Sequence, residues 1–175
     1  ENCKIPAGEE AKFEALPEEY SHLYLALEGT LAAVICIEDP LREEAADVIK
    51  ALKKAGISKV VMMTGDSERT AAAIAKRVGV DEYYSEVLPE DKANFITKET
   101  EKGRKVMMIG DGINDSPALS AASVGIAVSD GAEIAKEIAD ITISAESLYE
   151  VVALKQLSNA LLRRIHTNYR SIVAI

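Results

Sequence analysis

The chain has 175 residues, 48% of them hydrophobic and 28% charged, which is enough apolar side chain for a packed core and excludes a disordered segment. Its net charge of −9 excludes the basic footprint on which non-specific nucleic-acid binding rests, so no nucleic-acid partner is expected. The two cysteines, Cys3 and Cys36, form no CxxC pair and no metal spacing; they read as reduced thiols, with Cys36, inside an apolar run, placed in the core.

In chain order, residues 1–20 are polar, acidic and punctuated by Pro6 and Pro17, with one short helix expected around Glu9 to Leu16. Apolar runs at Leu23–Leu27 and Leu31–Ile37 flank Glu28-Gly29-Thr30 and predict a hairpin. Asp39-Pro40 has the pattern of an N-cap followed by a proline in the first helical position. Ala45, Val48, Ile49, Leu52 and Ala55 recur at helical spacing after it, and Gly56 closes that helix. Val60–Met63 predicts a buried strand. Thr64-Gly65-Asp66-Ser67 leads from it into a helix over about 68–78, closed by Gly79. Tyr83-Tyr84 suggests a short strand, and Pro89 starts a helix to about Lys102. Strands follow at 106–109, 124–128 and 141–143, with helices after Pro117, over about 132–139, and from Ser147 to beyond Asn168. This rhythm predicts an α/β fold with a Rossmann-like, doubly wound, mostly parallel sheet. No apolar run approaches the roughly 20 residues of a membrane-spanning helix, and no signal peptide is expected. The last residues, Ser171 to Ile175, are an uncapped apolar stub that reads as a cut end.

The most informative stretch is Gly110-Asp111-Gly112-Ile113-Asn114-Asp115-Ser116-Pro117, directly after an apolar strand. Two carboxylates and an amide at the carboxyl end of such a strand lie where open α/β sheets bind ligands. Two acids this close repel each other unless a hard cation such as Mg²⁺, which takes carboxylates, waters and phosphate oxygens, joins them. The alternative is an acidic turn with Asp115 capping a helix. Thr64-Gly65-Asp66, at a strand-to-helix junction, has the hydroxyl and free N–H groups to hold a phosphate, although a plain N-cap and turn explain it equally well. Lys92, in the first turn of a helix, opposes the helix dipole and makes sense facing an anion; alone it reads as a surface lysine. Asp39 and Arg42 read as a cap and a solvated arginine. Glu28-Gly29-Thr30 is explained by a turn, and His22 and His166 have no partner spacing.

Taken together, Thr64-Gly65-Asp66, Pro89-Glu90-Asp91-Lys92 and the 110–119 stretch resemble the motifs of the haloacid dehalogenase superfamily, in that family's order. The chain is more closely similar to the phosphorylation domain of P-type ATPases. Asp39-Pro40-Leu41-Arg42 and residues 121–127 are worded as in the heavy-metal branch. The resemblance implies an ATP-driven metal pump working through an aspartyl phosphate, with Mg²⁺ as cofactor and ATP as substrate of the complete protein. It implies Asp111 as the Mg²⁺ ligand with Asp115 in support. Thr64, Gly65, Lys92 and Asn114 would hold the phosphoryl group, with Thr64, Lys92 and Asp111 in the catalytic roles. Asp39, Arg42 and Asp66 would lie at the hinge to a nucleotide-binding domain. Residues 1–28 would be a lead-in or a remnant of that domain, 29–146 the phosphorylation domain, and 147–175 the stalk to a membrane segment. The family's Asp-Lys-Thr-Gly-Thr nucleophile motif does not occur in this sequence. The nucleophile strand, nucleotide-binding domain and membrane helices are therefore expected from a preceding part of the pump, with the transported metal cation as a further partner. The chain alone is expected to be inactive, and to be the soluble, cytoplasmic part of a membrane protein. Two other readings are a phosphatase of the same superfamily and an inactive regulatory module.

Overall fold

The computed structural model describes residues 3–17, 20–37, 41–110, 114–128, 138–144 and 146–173. The expected hairpin is present. β1 (Ser21–Leu27) pairs antiparallel with β2 (Thr30–Ile37), and Leu27 lies opposite Thr30. The two-residue loop has φ of 49° at Glu28 and 77° at Gly29, the doubly positive geometry that matches strand twist. A short helix, α1 (Glu10–Glu14), brings Phe13 to 6.0 Å from the Tyr24 ring. β1 and β2 form a two-stranded sheet by themselves. Cys36 is exposed, contrary to its expected place in the core. Its strand belongs to a two-stranded sheet, and Leu23, Leu25, Ile35 and Ile37 of that sheet are also exposed. Apolar sequence on both faces mimics a buried strand there.

The next helix, α2 (Ala45–Lys54), starts later than the sequence suggests. Glu44 is its N-cap residue, and 41–44 form a turn in which the Ala45 N–H donates to the Arg42 carbonyl. Asp39 and Pro40 lie outside the described residues. The apolar face Ala45, Val48 and Leu52 is buried as its spacing requires. β3 (Val61–Met63) crosses through α3 (Glu68–Val78) to β4 (Glu82–Tyr84), its parallel neighbour. Ser67 caps α3 by accepting from the Thr70 N–H, and Gly79 ends it at φ 76°, a left-handed position suited to glycine. α4 (Pro89–Glu101) opens on proline.

The remaining strands, β5 (Met107–Gly110), β6 (Val124–Val128) and β7 (Ile141–Ile143), form a parallel sheet in that order, with α5 (Ser116–Ala121) between the first two. The helix expected over about 132–139 falls almost entirely outside the described residues. The chain closes on α6 (Tyr149–Val173). On β6, alternate side chains face opposite layers. Ile126 packs with Val48, Leu52, Ile143, Val151 and Val152 in the main core, whereas Ala127 packs with Leu119. A sheet covered on both faces and built of parallel strands is the Rossmann-like arrangement expected from the alternation of apolar runs and helices. The parallel strands nonetheless form two separate sheets, β3–β4 and β5–β6–β7, rather than one. Among the described residues no helix is long and apolar enough to cross a membrane.

Candidate phosphate and cation site

The residues after β3 fold into a compact hydroxyl turn. Thr64 Oγ1 donates to Asp66 Oδ2 at 2.6 Å and accepts from the Asp66 N–H at 3.1 Å. This is the short-range side-chain bonding that lets threonine and aspartate shape turns. The Thr64 N–H donates to the Tyr84 carbonyl, and the Thr64 carbonyl accepts from the Val87 N–H, so the turn sits on the carboxyl end of β4. Gly65 is exposed, and a Cβ there would meet only the Val87 carbonyl oxygen, at 3.9 Å.

Leu88 follows Val87 as the N-cap residue of α4, which places Lys92 in that helix's first turn. Lys92 is not a surface lysine. Its Nζ lies 2.7 Å from Asp115 Oδ1, and the side chains are only 16% and 12% exposed. A continuous path of contacts therefore runs from Thr64 through Val87, Leu88 and Lys92 to Asp115.

Asp115 is the N-cap residue of α5, but its side chain makes no capping bond and turns to Lys92 instead. The capping alternative is thus not what the carboxylate does. Its other oxygen lies over Gly110. A Cβ at Gly110 would collide with Asp115 Oδ2 and stand 2.7 Å from its Cβ. Glycine at 110 is therefore required by close approach rather than by backbone angle. Asn114 is exposed beside the pair. Asp111 and Gly112 lie outside the described residues.

Of the expected hinge residues, Asp66 belongs to the Thr64 turn, Arg42 lies in the turn before α2, and Asp39 is not described. A second polar cluster surrounds the start of β4. The Lys53 ammonium and the Val60 N–H hold the Asp81 carboxyl below its ordinary range. Hydrogen bonds from Ser85 and Tyr83 do the same for Glu68. Its acids are answered within the cluster, so it reads as structural. The Lys92–Asp115 pair itself could not be read from sequence, because the two residues are 23 positions apart and no pattern links them.

A family profile described as a haloacid dehalogenase-like hydrolase matches residues 4–123. "Copper-transporting ATPase 1" of Rhizobium meliloti is 48% identical over 85% of this chain, and "Copper-exporting P-type ATPase" of Staphylococcus aureus is 44% identical over 83% of it. This chain spans only 18% of the length of each. Among solved structures, a zinc-transporting PIB-type ATPase superposes with a TM-score of 0.75 at 35% identity, over 94% of this chain and 27% of that one. With the profile covering more than half of its residues, this chain belongs to the haloacid dehalogenase-like hydrolase family.

Proposed function

We propose that the chain is the C-terminal part of the phosphorylation domain of an ATP-driven heavy-metal cation pump, supplying the cation- and phosphate-binding half of an aspartyl-phosphate site. The observation that carries this reading is the divided sheet. β3 pairs only with β4, and β5 only with β6, so among the described residues each has one unpaired strand edge. Unpaired edges are templates for another strand. A parallel strand supplied by the preceding part of the pump would join them and bring the nucleophilic aspartate to the end of the sheet where Thr64 and Asp115 lie. The nucleotide-binding domain and membrane helices belong to the same preceding part. Residues 1–28 would be a lead-in or a remnant of the nucleotide-binding domain, 29–146 the phosphorylation domain, and 147–175 the stalk.

In this reading the incoming carboxylate attacks the γ-phosphorus of ATP, ADP leaves, and water later hydrolyses the acyl phosphate. Gly65 and Asn114 would present donors to the phosphoryl oxygens, the Thr64 hydroxyl would join them by turning from Asp66, to which it donates in this structure, and Lys92 would add positive charge where negative charge accumulates. The described oxygen donors, Asn114 and Asp115, are of the hard type that Mg²⁺ prefers. Asp115 is already engaged by Lys92, which fits an outer-sphere role and leaves direct ligation to Asp111. Bound Mg²⁺ would neutralise the charge of the transferring group. The hinge roles of Asp39, Arg42 and Asp66 belong to the same proposal.

The test is complementation. A synthetic peptide with an apolar run followed by Asp-Lys-Thr-Gly-Thr is added to the labelled chain. Amide shifts at 61–63 and 107–110 are expected, together with hydroxylamine-sensitive incorporation of phosphate from an acyl phosphate in the presence of Mg²⁺. The chain alone should incorporate none. Labelling of the chain alone, or peptide binding that leaves both strand edges unshifted, overturns the reading.

A further inference from the structure

α2 and α6 are joined in an unusual way: each carries the polar group that satisfies an end of the other. Glu44, the N-cap residue of α2, accepts through Oε1 from the Leu148 N–H at the start of α6, at 3.4 Å. Asn159, in the body of α6, donates through Nδ2 to the carbonyl of Ala55, the C-cap residue of α2, at 2.7 Å. Both bonds span 104 positions, so the helices run parallel and in register over the eleven steps from Glu44 to Ala55 and from Leu148 to Asn159. Eleven helical steps are about 16 Å. Val48 and Leu52 pack with Val151 and Val152 along that length. A carboxylate at a helix N-terminus and a donor at a helix C-terminus each satisfy backbone groups that a helix leaves open.

Asn159 is also held in orientation, because Lys155 Nζ donates to its Oδ1 at 2.8 Å and leaves the NH₂ for Ala55. Every described residue after it, 160–173, is exposed. The same turn of α2 carries a second tie. Lys53 donates to the Gly79 carbonyl at 3.1 Å and to Asp81 Oδ1 at 2.7 Å, which binds it to the α3–β4 unit.

We infer that the C-terminal turn of α2 is the pivot of the last helix. Asn159 is the positioning residue that fastens α6 to it, Lys53 fastens the same turn to the β3–β4 unit, and the helix beyond Asn159 is a lever that follows the turn. The use of the lever, as the stalk of a pump, rests on the proposed function; the pivot does not.

Amide hydrogen exchange on the intact chain tests it. Slow exchange is expected through about Asn159 and fast exchange from about Leu162. Asn159→Ala should speed exchange of the 155–159 amides about ten-fold, the loss of one half-buried hydrogen bond, while Ile126 and Ile143 stay protected. The direction is diagnostic, because alanine is the better helix former and would slow exchange if only local helix stability mattered. Unchanged or slower exchange at 155–159 overturns the anchor. Lys53→Met should speed exchange at 82–84 and also at 155–159. An effect confined to 82–84 would show two independent ties and overturn the pivot. Neither measurement involves phosphoryl transfer, so the pivot can fail while the complementation result stands, and the reverse.

Discussion

Removing the Lys92 ammonium would strand a carboxylate that the fold has largely taken out of water. Asp115 is 12% exposed on its side chain, has Lys92 Nζ 2.7 Å from one oxygen, and has the Gly110 backbone packed against the other. Breaking such a pair from one side costs about 3–5 kcal/mol when the remaining charge is fully buried. The residual exposure favours the lower end, so Lys92→Met should cost about 3 kcal/mol, which is roughly 6–12 °C in Tm for a chain of this size. Asp115→Asn should cost less, about 1–2 kcal/mol, because a lysine with 16% exposure can swing its flexible stem toward solvent. The double variant leaves no unpaired charge and should be less destabilised than the sum of the singles by about 2 kcal/mol. Urea unfolding of the four proteins at neutral pH, with midpoints and slopes compared, measures the cycle. Additivity within about 0.5 kcal/mol, or a Lys92→Met cost below about 0.5 kcal/mol, would show that Lys92 is an ordinary surface lysine and that the pair does not shape the site.

Gly125→Ala should destabilise by about 1–3 kcal/mol, since its Cβ would stand 2.7 Å from the Leu119 carbonyl oxygen, a backbone atom that cannot rotate away; a thermal melt within about 1 °C of the parent would refute the close approach. Asp111→Asn should weaken Mg²⁺ binding more than Asp115→Asn, because Lys92 already occupies Asp115; calorimetric titration with equal losses would mean both carboxylates ligate directly. The Asp81 carboxyl is held below its ordinary value by Lys53 and the Val60 N–H, so its contribution is present above the unfolded value near 3.8 and fades as pH falls through the folded one. Asp81→Asn should therefore lower the urea midpoint by more at pH 6 than at pH 2.5. An equal deficit at both pH values would place the effect elsewhere.

Much of this molecule is written locally. The spacing of Ala45, Val48 and Leu52 marks the buried face of α2, Pro89 marks the first turn of α4, and Gly79 marks the end of α3, because each depends on a backbone angle or a helical period that a few residues set. The positions of Thr64 and Asp115 at strand-to-helix junctions are legible for the same reason. The start of α2 is not, because Asp39-Pro40 has the chemistry of a helix start while the chain takes a turn at 41–44 first. Nor is the exposure of Cys36, because an apolar run does not say whether anything packs on it. Pairings between distant residues lie beyond sequence. Lys92 with Asp115, Asn159 with Ala55, and Gly125 under Leu119 are contacts between elements whose relative placement follows from packing of the whole core. The division of the sheet is of that kind too, since each strand's sequence requires a buried edge but does not name its neighbour. The sequence by itself determined the elements and the chemistry they carry. Only the tertiary structure decided which of them meet, because long-range contact depends on cooperative burial rather than on any local preference.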